Sequence, residues 1–468
     1  MSALKALVIG IDGADHAIVS HLMSRGMLPN LSSLADRGVF APMASTVPPM
    51  TPPAWSSLMT GKNPGRHGVY DFLQMSSDGT SRPVAARRKA VTIWEALSER
   101  GHSVGTFNVP TTFPPANLSA FQFSGFDATS FGPELARPRE AYDVVVHAVG
   151  EYDLSPTRLH KPEIEAEALS FHSDMPLEAT RALLQRFDCE LYMVSFQAVD
   201  WAQHSSLGPE APSGGPEELA ADGRVVTTYR RIDEHVGALI DEYADGQTLV
   251  VVASDHGAAP ADRLVNLEKL FLDNGLMAYR SSSGSGDFEA RRNRARAALN
   301  FWLALKRLAP WVKGLLGPIA RRFRRGFASY QEDMAIDWQR TRAVPWAAYG
   351  QIRFNIKGRD PEGSVAPEDI DALSRDVTEL LLSLRDPGTN EPIYREIASA
   401  DDLYEGEWSH DGADLVALPR DRRYFAVSAR LRKGAMPLLD LQPTSVAVLD
   451  PPWGVHSPLG VAMFAGPH

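Results

Sequence analysis

The sequence predicts an α/β fold in which a mostly parallel central sheet is covered by helices on both faces and carries a basic helical insertion. Three observations predict it. Near-continuous aliphatic runs at residues 4–11 (LKALVIGI), 191–196 (LYMVSF) and 248–253 (TLVVVA) have the length and composition of strands buried on both faces. Between the last two runs, Val225, Tyr229, Ile232, Val236 and Ile240 recur at the spacing of an amphipathic helix. Each run also leads into residues that carry chemistry: Asp12-Gly13, then Asp200 with His204, then Ser254-Asp255-His256-Gly257. In open α/β sheets ligands gather at the carboxyl ends of strands, so these are the right residues in the right place.

Length and composition bound the possibilities. At 468 residues the chain is long for one core, which implies two domains or one large α/β domain with insertions. The expected division is residues 1–280 as the first part of the α/β core, 281–345 as the basic insertion, and 346–468 as the return to the core. A formal charge of −11 argues against general affinity for nucleic acid. Cys189 is the only cysteine, so there is no intrachain disulfide and any metal must be held by His, Asp or Glu. No run approaches a membrane span, and the first strand pattern begins within a few residues of Met1, so the expectation is a cytoplasmic chain without a signal peptide.

In chain order, Asp12 by itself also reads as a turn former beside Gly13. Helical patterns follow around residues 16–25 and 31–36. The stretch 46–72 (TVPPMTPPAWSSLMTGKNPGRHGVYDF) sets Thr51 ahead of two prolines and a helix-compatible run that stops at Gly61. Proline suits a first helical turn, and threonine is a good N-cap, so Thr51 is expected at the cap position. Such a corner can be a phosphate site through its free N–H groups and the helix dipole, or simply a capped helix. Asp200 and His204, four apart, would share one face of a helical turn and could hold one cation. Asp255-His256 at the tip of an all-aliphatic strand is hard to explain structurally, because both groups are costly to bury without partners.

Between residues 290 and 325 stand eleven Lys or Arg and no acid, interleaved with Phe301, Trp302, Leu305, Trp311 and Leu315. An SSSGSG linker at 281–286 precedes them. This reads as a helical insertion: a solvated face, a cap over the core, or a basic amphipathic surface making peripheral contact with anionic membrane or a polyanionic substrate. The sheet is expected to resume at 351–356 (QIRFNI), followed by a turn at 358–363 and a helix over 367–384 with Ile370, Leu373, Val377 and Leu380 on one face. His456 in WGVHSPLG then precedes a last strand at 461–464.

Together Asp12, Asp200, His204, Asp255, His256 and His456 supply three carboxylates and three imidazoles. That is too many for one tetrahedral ion and about right for two ions in one pocket. Paired metals roughly 4 Å apart suit in-line displacement at phosphorus. A threonine hydroxyl such as that of Thr51 is a weak nucleophile until a cation favours its alkoxide.

The order Asp12-Gly13, LPNLSSLADRG, TPPAWSSLMTG-x-x-P-x-x-HG, Asp200-x-x-x-His204, Ser254-Asp255-His256-Gly257 and His456 resembles the alkaline phosphatase superfamily. Within it, the chain is most similar to the type I phosphodiesterase and nucleotide pyrophosphatase group, especially its soluble bacterial phosphohydrolase and phosphomutase members. The resemblance covers nearly the whole chain apart from the basic insertion. It implies a metal-dependent phosphoric ester hydrolase, phosphodiesterase or phosphomonoesterase, acting on a small phosphorylated substrate with nucleotides among the candidates. It further implies that Asp12, Thr51, Asp255 and His256 hold one divalent metal, that Thr51 is the nucleophile forming a phospho-threonine, and that Asp200, His204 and His456 hold the second. Zinc is the first expectation and manganese the second, the latter favoured in mutase relatives.

Two departures qualify the likeness. Nucleotide pyrophosphatases place an asparagine shortly after the His-Gly pair, where this chain reads Val69-Tyr70-Asp71-Phe72, and the chain stops soon after His456, where relatives often continue. The alternatives are a phosphomutase using the same threonine, and a non-catalytic surface-binding protein with a structural metal site. Arg66, Arg87, Arg88 and Lys89 are candidates for contacting substrate oxygens, or else solvated surface.

Overall fold

The three aliphatic runs pair with one another. In the computed structural model, which describes residues 4–75, 81–83, 88–129, 132–150, 166–211, 215–280, 336–427 and 446–467, Ala6–Ile11 lies parallel between Leu191–Phe196 and Leu249–Ala253. Gly10 is level with Ser195 on one side and Ala253 on the other, so the carboxyl ends of all three strands finish side by side.

They form the middle of an eight-stranded sheet. Its order is Val39–Ala44, Leu459–Ala465, Leu249–Ala253, Ala6–Ile11, Leu191–Phe196, Val104–Val109, Phe121–Ser124 and Ala136–Arg137. The inner five strands are parallel, with antiparallel strands at both ends.

Alternation along the strands explains why both faces need cover. Leu7, Ile9, Tyr192 and Val194 point into a core shared with helices His16–Ser24, Pro29–Asp36 and Arg224–Tyr243. Val8, Leu191 and Met193 point the other way, against Trp55 and Met59 of helix Thr51–Thr60 and Trp94 of helix Ile93–Glu99. Helix Arg224–Tyr243 buries Val225, Tyr229, Ile232, Val236 and Ile240, the face its spacing predicts.

The expected return to this sheet at residue 351 does not occur. Gln351–Phe354 belongs to a separate four-stranded sheet with Ala343–Pro345, Leu415–Pro419 and Tyr394–Ser399, all antiparallel. Ile352 and Phe354 bury against Leu373, Val377 and Leu381 of helix Ile370–Ser383 and against Phe271, giving this smaller lobe its own core. The chain rejoins the central sheet only at Leu459–Ala465.

A third sheet links the two. Its long strand Gly257–Asn266 starts directly after His256 and pairs antiparallel with Val446–Ser457, which sets His456 opposite Ala258. The basic stretch 290–325 and its serine-glycine linker lie outside the described residues. Among the described residues no helix is long and apolar enough to cross a membrane.

Candidate functional site

Strand tips and one helix start converge at the carboxyl edge of the central sheet. Asp12 follows Ile11, and its backbone N–H donates to the Phe196 carbonyl at 2.9 Å, which holds the tip of one strand to the next. Asp200 lies in helix Ala198–Ala202, which runs into a π-turn, Gln203–Leu207, that carries His204. Asp255 and His256 fill the corner between Leu249–Ala253 and Gly257–Asn266.

All seven residues singled out from the sequence meet there. His256 Nε2 is 3.2 Å from Thr51 Oγ1, 3.2 Å from Asp255 Oδ2 and 3.6 Å from Asp12 Oδ1. His204 Nε2 is 2.9 Å from His456 Nε2 and 3.4 Å from Asp200 Oδ1, and His456 Nε2 is 3.5 Å from the same oxygen. The His256 and His456 rings stack with centroids 3.6 Å apart and join the two groups. His204 is the open side, with 37% of its side chain exposed, while His256 is fully buried.

Each imidazole is turned by its other nitrogen. Nδ1–H of His256 donates to the Gly257 carbonyl at 3.0 Å, that of His204 to Gly454 at 2.9 Å, and that of His456 to Pro49 at 2.8 Å. With a carbonyl fixing Nδ1 as the donor, the Nε2 lone pair is left for the pocket; this is the arrangement metal-binding histidines adopt.

The carboxylates show the same division. Trp55 Nε1–H donates to Asp12 Oδ2 at 3.0 Å and the Gly13 N–H donates to Asp255 Oδ1 at 3.2 Å. Asp12 Oδ1, Asp200 Oδ1 and Asp255 Oδ2 are buried without a hydrogen bond. A carboxylate oxygen left so is costly unless a cation meets it.

The electrostatics agree with the geometry. Burial pushes the Asp12 and Asp255 carboxyls well above their usual range, with nearby Asp200 adding to both, and burial lifts Asp200 itself to about 7. Burial holds His256 down at about 3, and it lowers His456, helped by the two neighbouring imidazoles. Among the described residues no Lys or Arg pairs with any of the three acids. A divalent cation held here would supply the missing positive charge and reverse these preferences. Two sets of side chains, Asp12-Asp255-His256 and Asp200-His256-His456, bring ligand atoms within 4.8 Å of one another. The residues present therefore fit metal.

Thr51 differs in one respect from its sequence reading. The N-cap is Met50, in extended conformation (φ −117°, ψ 143°), and Thr51 is the first helical residue. The prolines and Met50 explain the shift: of the two N–H groups a Thr51 cap could serve, Pro53 has none and that of Ala54 goes elsewhere. The Ala54 N–H is already taken by the Met50 carbonyl at 3.0 Å. The helix start thus offers few free N–H groups, and the Thr51 hydroxyl, not used as a cap, faces His256.

The basic candidates divide. Arg88 is committed internally, to the Thr111 carbonyl at 3.1 Å and to Glu95 at 3.2 Å. Arg66 pairs with Glu405 at 2.6 Å, and Lys89 sits 4.8 Å over the Trp408 ring. Arg87 lies outside the described residues.

A supporting layer has no sequence signature. Asp15 Oδ2 accepts from the Ser457 hydroxyl at 2.7 Å and from the Ala258 N–H at 3.2 Å, tying the segments of His456 and His256 to the first strand tip. The Asp15 N–H donates to Tyr229 Oη at 3.0 Å, Tyr229 donates to Gln203 Oε1 at 2.9 Å, and Gln203 Nε2 donates to the Gly13 carbonyl at 2.8 Å.

With strands, ligands and threonine in this arrangement, residues 6–437 match the family described as type I phosphodiesterase / nucleotide pyrophosphatase. The chain belongs to that family. As a member it is a phosphoester hydrolase within the alkaline phosphatase superfamily, and the family is metal-dependent.

No curated protein matches the chain. Among solved structures it is similar to phosphonoacetate hydrolase from Sinorhizobium meliloti 1021, determined with phosphonoacetate and with phosphonoformate, at 14% identity and a TM-score of 0.54 over 99% of this chain and 89% of that one. Human ectonucleotide pyrophosphatase / phosphodiesterase 5 matches at 13% identity, with a TM-score of 0.47 over 99% and 88%. At these identities the likeness speaks to the fold alone.

Proposed function

We propose that this chain hydrolyses a small phosphoric ester through a covalent phospho-threonine at Thr51, in a centre built for two divalent cations. The single observation that carries the reading is the set of three buried carboxylate oxygens without hydrogen bonds, facing three imidazole Nε2 atoms whose Nδ1 partners are backbone carbonyls. Asp12, Asp255 and His256, with Thr51, would hold one cation, and Asp200, His204 and His456 the other, zinc first and manganese second. When bound, such ions supply charge stabilisation for the phosphoryl oxygens and favour the alkoxide form of the threonine.

The chain's own residues do the rest. Thr51 Oγ1 lies 3.2 Å from His256 Nε2, which holds the hydroxyl among the carboxylates and imidazoles of the centre. Its bond to phosphorus forms as the ester P–O bond breaks, and the hydroxyl proton ends on the departing alcohol. Water then displaces the threonine, releasing phosphate from a monoester or a phosphomonoester from a diester. Phosphonoacetate hydrolase, determined with phosphonoacetate and with phosphonoformate, takes small phosphonate anions, which supports a small substrate, and a family described as nucleotide pyrophosphatase keeps nucleotides among the candidates.

Thr51→Ala tests the proposal on a panel of aryl monoesters, aryl diesters and dinucleotides. Loss of the nucleophile lowers turnover by several orders of magnitude with the circular dichroism spectrum unchanged. Retention of more than a tenth of wild-type turnover would show that Thr51 is not the nucleophile.

A further inference from the structure

In the smaller lobe, residues 346–350 join Ala343–Pro345 to Gln351–Phe354 as the turn of an antiparallel hairpin, closed by the Trp346 N–H on the Gln351 carbonyl at 2.9 Å. Near its tip Tyr349 has φ 61°, a left-handed backbone that a bulky side chain seldom adopts. Three contacts hold it there. The Tyr349 N–H donates to the Ala426 carbonyl at 2.9 Å, the Ala417 N–H donates to the Gly350 carbonyl at 2.9 Å, and Phe425 packs edge to face on the tyrosine ring at 5.1 Å. A conformation of this kind persists where the surroundings over-determine it, and it is a reason to ask what the side chain does.

The side chain reaches out of its own lobe to His456. Val446–Ser457 is an edge strand of the three-stranded sheet, and near its end the His456 N–H donates to Tyr349 Oη at 3.0 Å. The two rings lie 5.4 Å apart and within 24° of parallel. From the same hairpin, Gln351 Nε2 donates to the Ala348 carbonyl at 3.2 Å and lies 3.4 Å from Met50 Sδ, in the residue that caps the helix of Thr51. His204 is carried by a π-turn and His256 by the corner after a central strand, whereas the backbone of His456 leans on the smaller lobe.

We infer that Tyr349 is a positioning residue: by accepting from the His456 N–H it fixes where the Nε2 of that histidine points, and so sets the affinity of the centre for the cation that His456 shares with Asp200 and His204. The inference rests on the two-cation reading above. Removing the hydroxyl alone takes the acceptor from an edge-strand N–H while the ring and its packing stay. The disturbance therefore falls on a ligand assigned to one cation and spares Asp12 and Asp255 of the other.

The test is calorimetric titration of the full chain with zinc after a chelator has stripped it. The parent takes up two equivalents. Tyr349→Phe takes up one with parental affinity and binds the second about tenfold or more weakly, the loss usual when a partner behind a metal ligand is removed. Tyr424→Phe is the control, since it removes another tyrosine hydroxyl next to the smaller lobe, one that donates to Asp386 Oδ2 at 3.2 Å, and it binds both zinc ions as the parent does. Metal-free, both variants melt cooperatively. Two zinc ions held by Tyr349→Phe as tightly as by the parent, both weakened alike, an equal loss in Tyr424→Phe, or a metal-free Tyr349→Phe that no longer melts cooperatively would each overturn the inference. A parent that takes up fewer than two equivalents would overturn the two-cation reading itself, and the inference with it, before any variant is compared.

Discussion

Replacing Asp15 with alanine separates two things that a buried carboxylate near a catalytic centre can do: hold the fold together and hold the ligands in place. Asp15 is 1% exposed. Its Oδ1 caps helix His16–Ser24, accepting from the Ala17 and Ile18 N–H groups at 2.9 and 3.3 Å, and its Oδ2 accepts from Ser457 and Ala258. Losing the cap costs about 1 kcal/mol. Leaving the Ser457 and Ala258 donors without an acceptor adds about 1–2 kcal/mol each, while Arg422, 3.4 Å from Oδ2 but 43% exposed, turns to water and adds little. Asp15→Ala is therefore expected to cost about 3–5 kcal/mol and to lower the thermal midpoint by several degrees. Asp233 is the matched control: equally buried, it accepts from the Asn30 N–H at 3.1 Å, Asn30 Nδ2 at 2.9 Å and the Leu31 N–H at 2.8 Å, none of them at the centre. Asp233→Ala should cost a comparable amount of stability. Only Asp15, however, touches the residue after His456 and the residue two beyond His256, and displacing reacting groups by about 1 Å can lower a rate roughly 100-fold. The assay is kcat/KM for an aryl phosphoester in both variants, well below both melting transitions. Asp15→Ala falls about 100-fold while Asp233→Ala stays near wild type. Equal losses in the two, or wild-type kcat/KM in Asp15→Ala, would refute the positioning role.

Further outcomes follow from single features of the centre. A Cβ on Gly10 would sit 2.4 Å from Trp55 Cη2. Gly10→Ala is thus expected to cost about 1–3 kcal/mol of stability by overpacking and to lower turnover, because Trp55 is the residue that orients Asp12. Asp255→Asn and His456→Ala should each lose about one metal equivalent by elemental analysis, since each removes a donor that must be deprotonated to bind; a full complement in both would refute the two-ion reading. Burial holds His67 at about 4, where its Nδ1 accepts from the Val69 N–H at 3.1 Å and its Nε2–H donates to Ser57 at 2.9 Å. A base lowered in the folded state contributes stability that is complete above its ordinary pKa and lost as pH falls through the lowered one. Between pH 6.5 and 4 His67 accordingly accounts for about 3 kcal/mol of acid destabilisation, and His67→Gln should flatten that part of a plot of thermal midpoint against pH.

Much of the architecture was legible because burial leaves a compositional mark. Strands covered on both faces must be aliphatic throughout, so Ala6–Ile11, Leu191–Phe196 and Leu249–Ala253 stood out, and an Asp or His at the end of such a strand has little structural reason to be there. Strand type was also readable at Gln351–Phe354, but not its sheet. Its partner Leu415–Pro419 lies some sixty residues on in the chain, and the pattern of a strand does not encode which partner it meets. Thr51 was misplaced by one position for a local reason. Cap preferences presume a free N–H to be capped; Pro53 has none and the Ala54 N–H bonds the Met50 carbonyl, which leaves the hydroxyl to His256.

The layer that supports the ligands was not legible, and its physics shows why. Asp15, Gln203 and Tyr229 come from a strand tip, a π-turn and the middle of a long helix, and each satisfies an ordinary role where it stands: a helix cap, a turn residue, a member of an apolar stripe. Only the closed sheet brings their polar atoms together, so no spacing in the sequence records the contact. Yet these bonds define the loop that carries Asp12. Gly13 turns there with φ 72°, and a Cβ at that position would meet Asp200 Oδ1 at 2.9 Å, the same oxygen that has no hydrogen bond. Gly13 is therefore constrained twice, by its left-handed backbone and by the clearance one acid needs from the loop of another. The Gln203 amide then fixes the loop by its bond to the Gly13 carbonyl, two residues from the Asp15 N–H that Tyr229 holds. A loop pinned at both positions keeps Asp12 and Asp200 close despite their mutual repulsion, and on the proposed two-cation reading that closeness would add to the site's attraction for the cations.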